Sequence, residues 1–290
     1  MSYDGWIIIV ASLVGIACGT VGCLLILRKL SMLADAISHT VLLGIVGAYF
    51  ISQTFDGWMM IIGAMIVGIA TAFFVQVLDS SGVQSDAAIG VVFTFLFAIG
   101  VIFISVFAGN VHLDVEHVLM GEIAFVPWNT FTINGIHLGP KSVWILGTVL
   151  LINLILLFVF YKEFKICAFD SELAASLGIP VLFIHYLLMG MVSTTTVAAF
   201  ESVGVVLVVA MLIVPGATAY LLTDRLIVMF LLSAFFGVLA AIFGYYLAKF
   251  MNVSIAGAMV TVSGLLFALT FVFSPSYGLL AKYLAKKASP

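Results

Sequence analysis

The chain has 290 residues, 64% of them hydrophobic and 8% charged. A soluble domain carries about 25% charged residues, so this composition, with a mean hydropathy of +1.35, excludes a water-soluble globular protein. Ten cationic and thirteen acidic side chains give a net charge of −3, spread over short segments with no basic stripe for nucleic acid.

In chain order, apolar runs broken by polar residues predict spans near 6–27, 37–53, 58–78, 87–108, 142–161, 181–199, 202–222, 226–248 and 253–273. A crossing of the ~30 Å hydrocarbon core takes about 20 apolar residues, so these spans leave no room for a soluble domain, and 1–290 reads as one transmembrane domain. Lipid offers nothing to an open sheet edge, and the strict alternation of barrel strands is missing. The fold class is therefore all-α: a polytopic bundle of eight to nine transmembrane helices. The first run has no Lys or Arg ahead of it and Arg28-Lys29 behind it, the reverse of a cleaved leader, so it is expected to remain as a span. Cys18, Cys23 and Cys167 form no C-x-x-C pair, and no disulfide framework is expected.

With the N-terminus outside, eight of the ten cations fall on the inner side: Arg28, Lys29, Lys162, Lys165, Arg225, Lys282, Lys286 and Lys287. Only Lys141 and Lys249 fall outside, a bias that places the C-terminus inside.

Two intervals are not simple spans. Residues 109–141 are too polar to cross and read as an outer excursion able to dip back as a short re-entrant helix. Residues 162–180 form the largest inner loop. Within it, Asp170 or Ser171 as N-cap, good helix formers through Ala174 and Ala175, Gly178 at the stop and Pro180 beyond predict a short docking helix on the cytoplasmic face. Pro215-Gly216 inside the seventh run predicts a kink or break, either lining a cavity or tolerated for packing.

Asp35 and His39 carry the chemistry. At i, i+4 they project from one helix face about a turn apart, close enough to grip one cation. Ionisable groups in a span are costly and usually face a cavity that serves transport. The bland reading stands beside this one: Asp35 caps the second span and His39 makes an interhelical hydrogen bond. A carboxylate with an imidazole suits Mn²⁺, Fe²⁺ or Zn²⁺ better than Cu⁺, Mg²⁺ or Ca²⁺. A second cluster, His112, Asp114, Glu116, His117 and Glu122, lies in the outer excursion, where such groups more often form a solvated face. His185 and Glu201 are lone polar groups near span ends, either hydrogen-bonded structure or part of a path. No G-x-x-x-x-G-K-[ST] loop, H-E-x-x-H or G-x-S-x-G is present, so neither ATP hydrolysis nor another enzymatic activity is expected of this chain.

Four motifs carry a family resemblance. They are Asp35-Ala-Ile-Ser-His39, Asp86-Ala-Ala-Ile-Gly90, Phe169 to Pro180, and Val203 to Thr218 with Pro215-Gly216 inside it. In this order they resemble the membrane permease subunit of bacterial manganese/zinc/iron ABC importers, from about residue 20 to Gly278. The resemblance implies a vitamin B12-importer-like architecture in the bacterial cytoplasmic membrane, built as a homodimer. It also implies two ATP-binding subunits that carry the ATP and an extracytoplasmic metal-binding lipoprotein that delivers the ion. Asp35 and His39 become the metal site, and manganese becomes the leading cargo, with zinc or iron as alternatives. Asp170, Glu172, Ala174, Ala175 and Gly178 match the loop that couples to the ATPase, although Leu173 interrupts the usual E-A-A order. Glu201, Pro215 and Gly216 become path or hinge positions, and Glu122 stands where many relatives carry a neutral residue. A metal-dependent intramembrane hydrolase would need a third ligand or a base on a facing helix. A non-transporting scaffold would tolerate loss of the Asp35 charge.

The orientation is testable with single cysteines at Asn110 and Ser171 in a cysteine-free chain. An impermeant thiol reagent on intact cells is expected to label position 110 and spare 171; labelling at 171 reverses the map.

Overall fold

Long runs of Leu, Ile, Val, Ala and Gly close their own backbone hydrogen bonds as helices, which is what hydrocarbon demands of them. The computed structural model describes residues 3–52, 57–107, 123–133, 136–274 and 278. Its helices are α1 (Tyr3–Leu27), α2 (Ser31–Ser52), α3 (Gly57–Ser80), α4 (Ser85–Phe107), α5 (Lys141–Val159), α6 (Tyr161–Phe169), α7 (Ser171–Ser176), α8 (Val181–Val203), α9 (Val205–Tyr220), α10 (Leu226–Met251) and α11 (Ile255–Phe273). Among the described residues, eight helices are long and apolar enough to cross a membrane: α1 to α5, α8, α10 and α11. The seventh expected span is the 16-residue α9, about 24 Å long and shorter than the hydrocarbon core.

Three local differences from the sequence reading have physical causes. Helix α2 begins at Ser31, six residues before the expected span, because Asp35 and His39 lower local hydropathy without breaking a helix. The second difference concerns the outer excursion. Where it is described, it holds a 3₁₀ turn, Ile123–Trp128, and an antiparallel hairpin of β1 (Thr130–Ile133) and β2 (Ile136–Pro140); the stretch 109–122, where a re-entrant helix could fall, lies outside the described residues. Asn134-Gly135 between β-branched and aromatic residues is the sequence signal for such a hairpin. Third, α9 runs unbroken through Pro215. The chain breaks instead at Gly204, whose φ of 79° favours a residue without Cβ, so α8 ends and α9 begins across one residue.

Helix α1 is the central post, with α5, α8, α9 and α10 packed around it. Glycines make that possible. A Cβ on Gly15 would come within 2.8 Å of the Gly237 backbone, one on Gly19 within 2.6 Å of Ser233 Oγ, and one on Gly22 would overlap the Leu212 carbonyl oxygen. Gly216 faces Cys23 and Ile26 of α1 in the same way, so the Pro215-Gly216 step serves helix contact here. Helices α2, α3 and α4 form a second group, joined by a Gly44–Gly63 crossing and by a 2.9 Å hydrogen bond between the Thr40 and Thr71 hydroxyls. Contacts of α2 and α3 with α8 join the two groups. At one edge the start of α1 is tied to the end of α10, Lys249 pairing with Asp4 at 2.6 Å.

Gly22→Ala is expected to lower the thermal stability of the purified protein by about 1–3 kcal/mol, since α1 and α9 must separate. Gly47→Ala meets nothing within 4 Å and is expected to leave the melting temperature unchanged or slightly raised. Equal melting of both variants would disprove the α1–α9 crossing.

Candidate metal site and docking helix

Helix α2 sorts its residues sharply. Leu33, Ala34, Ala36, Ile37, Ser38 and Thr40 are buried against α3 and the α1-centred group, whereas Asp35 and His39 turn outward with side chains 46% and 37% exposed. Asp35 Oδ1 lies 3.8 Å from His39 Nε2, one helical turn away and too far for a hydrogen bond. Two donors about 2.1 Å from one ion at a tetrahedral angle sit roughly 3.4 Å apart, so a small rotamer change brings both onto a single cation. Ser38 does not join them, because its hydroxyl donates back to the Ala34 carbonyl.

Helix α4 supplies the wall beside the pair. The His39 ring meets Phe93 at 5.3 Å and Phe97 at 6.1 Å between centroids. These aromatic partners went unnoticed in the sequence, where Phe93 and Phe97 look like any lipid-facing i, i+4 stripe. Among the described residues, no group of three or more His, Cys, Asp or Glu side chains gathers to hold a metal. One chain thus presents two candidate donors side by side on its surface.

The short helix at the inner loop is present as α7. Asp170 is its N-cap, its side chain accepting from the Leu173 amide at 2.9 Å, and Gly178 ends it with a φ of 79°. Glu172 and Ala175 are exposed, but Ala174 is fully buried, so its side chain holds α7 to the bundle and cannot itself touch a partner. Phe169, Leu173 and Leu177, spaced i, i+4, i+8, are each at least half exposed. With Lys162 and Lys165 they give this corner an apolar and basic outer face. Within the 162–180 interval expected to be a loop, residues up to Phe169 instead belong to α6, whose Phe164 and Cys167 face inward.

Arg28, in the turn between α1 and α2, comes close to this corner. Burial lowers its pKa, and it interacts electrostatically with Cys167 on α6. Burial raises the Cys167 thiol pKa, an effect Arg28 opposes and Glu163 reinforces.

Of the remaining candidates, His112, Asp114, Glu116, His117 and Glu122 lie outside the described residues. Glu201 sits in the last turn of α8, three residues before the Gly204 break, but its side chain is outside the described set.

The sequence profile of the ABC 3 transport family matches residues 5–274. The chain is 61% identical to the manganese transport system membrane protein MntD of Bacillus subtilis (strain 168), over 98% of this chain and 96% of that one. It is 45% identical to the zinc transport system membrane protein TroD of Treponema pallidum (strain Nichols), over 97% of this chain and 77% of the relative. Among solved structures it resembles PsaBC from Streptococcus pneumoniae in complex with Fab, with a TM-score of 0.81 and 33% identity, covering 99% of this chain and 96% of that chain.

Proposed function

The chain belongs to the ABC 3 transport family, and from that membership and its surface pair we propose that it is the membrane permease of an ATP-driven manganese importer. The observation that carries this reading is Asp35 beside His39, half exposed on a helix whose neighbouring residues are buried. A carboxylate and an imidazole suit a borderline divalent ion, and the 61% identical relative is named for manganese. Zinc is the second reading, because the same donors suit it and the Treponema relative is named for zinc.

Two donors per chain leave a four- to six-coordinate ion short of ligands. A second copy related by a twofold axis would bring another Asp35 and His39, and water would complete the shell. Few protein ligands and retained water fit a cargo that must leave again. ATP binding and hydrolysis fall to a separate pair of subunits, docked on the Phe169, Leu173 and Leu177 face with Asp170, Glu172, Ala175 and Gly178 shaping it. An extracytoplasmic lipoprotein would deliver the ion to the opposite end. Their closure would move α7, and α6 would pass that motion to the α1–α2 turn beside Arg28, seven residues before Asp35. Glu201 and the Gly204 break, rather than Pro215-Gly216, are the better hinge position. The expected setting is the bacterial cytoplasmic membrane, N-terminus outside and C-terminus inside.

Asp35→Asn and His39→Ala are each expected to cut ⁵⁴Mn uptake at least tenfold at normal expression, with parallel ⁶⁵Zn and ⁵⁵Fe assays ranking the ions. Neither is expected to impair folding, since losing an intramembrane charge removes an insertion cost of roughly 2.5–3.5 kcal/mol at mid-span. Wild-type uptake by both variants would sink the metal-site reading. For the docking face, Leu173→Glu is expected to release the ATPase subunit on co-purification while the permease still inserts, whereas Ala174→Glu is expected to destabilise the permease itself. Retention of the ATPase by Leu173→Glu would move the docking site elsewhere.

A further inference from the structure

A small cavity lies at the α7 end of the bundle, lined by Leu30, Leu33, Gln76, Asp79, Ser85 and His185 among others. Its volume is about 60 Å³, enough for an ion with one or more waters. The polar groups come from three places: Gln76 and Asp79 at the end of α3, Ser85 at the start of α4, and His185 one turn into α8. His185 is 7% exposed, and among the described residues no hydrogen bond engages its ring, whose recorded neighbour is the Tyr186 ring at 5.5 Å. With no hydrogen-bond partner among the described residues, its ring is available to whatever occupies the cavity.

We propose that this cavity is a second cation site, in which His185 and Asp79, assisted by the Gln76 amide oxygen and the Ser85 hydroxyl, hold a divalent first-row transition ion. One nitrogen and several oxygens form the same borderline donor class as the Asp35–His39 pair. Position adds to the argument. Ile89 lines the cavity and lies one helical turn from Phe93, which packs on His39, so the two sites are neighbours along α4. Arg28 lies close enough to His185 to interact electrostatically and repels any cation bound there, while the Asp79 carboxylate attracts it. The balance gives a weak site with rapid release. As a station between the surface pair and the cytoplasm, the site rests on the import reading; as a binding site, it does not.

The test is Mn²⁺ binding to the full chain in lipid nanodiscs, read by electron spin echo modulation from ligand ¹⁴N. In the Asp35→Asn/His39→Ala background, which removes the surface pair, nitrogen-coupled Mn²⁺ is expected to persist. Adding His185→Ala is expected to abolish the nitrogen coupling, and adding Asp79→Asn to weaken binding about tenfold. Asp79 is exposed, so its variant is expected to melt like the background and decides the matter if His185→Ala fails to fold. No bound Mn²⁺ in the background at millimolar concentration, or unchanged nitrogen coupling and affinity after either added substitution, overturns the proposal. Equal Mn²⁺ binding by wild type and background, with loss on His185→Ala, supports this site while overturning the surface pair as a metal site.

Discussion

The bilayer core has no hydrogen bond to give, and every polar atom placed in it must find a partner within the protein. The bundle obeys this almost everywhere. Ser38, Thr71, Ser193 and Thr195 return their hydroxyls to carbonyls one turn back on their own helices. Asn153 on α5 donates to Thr195 on α8 at 2.6 Å, and Thr40 meets Thr71 across α2 and α3. These groups are spent within the bundle, although the Thr196 and Ser202 hydroxyls are buried without a partner among the described residues. Against that background, Asp35 and His39 at 3.8 Å are an exception: two costly groups, neither closing on the other. The pair is held open on the surface.

The second constraint is how closely helices approach. Around α1, glycines bring backbones together, and 72% of its best apolar window is buried; for α4 the figure is 28%. The bundle is therefore a dense post with a thinner wall, and the pair sits where that wall turns away from the post. Half-exposed ionisable groups cannot be left facing acyl chains. In the proposed dimer, a partner copy would both exclude lipid from the pair and bring a second Asp35 and His39.

Sequence carried much of this. Continuous apolar runs located the spans because their hydropathy is a local property, and the i, i+4 pair was visible because helix geometry converts spacing into a shared face. Asp170, Gly178 and Pro180 marked α7 through capping chemistry, which is also local. What escaped was non-local or lay beneath a hydropathy threshold. Lys162, Glu163 and Lys165 masked α6, although Phe164 and Cys167 give it a buried side. Pro215 drew attention as the break, yet α9 absorbs it and Gly204 provides the break instead. No periodicity links Gln76, Asp79 and Ser85 to His185 a hundred residues on; packing of α3 on α8 brings them to one cavity.

Position along α2 bears on how an ion would move. His39 is eight residues from the start of α2 at the α7 end, about 12 Å, and thirteen from the far end, about 20 Å. The pair thus divides the path unequally. On the long side, Leu43 and Gly47, one and two turns beyond His39, line an apolar cavity of about 340 Å³ with Ile51, Met59, Ile62 and Ile66. Among the described residues, Ser52 is the one polar side chain in that lining, so the groove offers an ion little to replace its hydration shell. On the short side, the cavity at Asp79 and His185 is lined by Ile89, one helical turn from the Phe93 that packs on His39. If Asp35 and His39 hold the cargo as proposed, an ion arriving along the long side would meet its first carboxylate and imidazole donors at this pair. If ATP-driven closure acts at α7 as proposed, a displacement there would reach the short side of the pair before the long one.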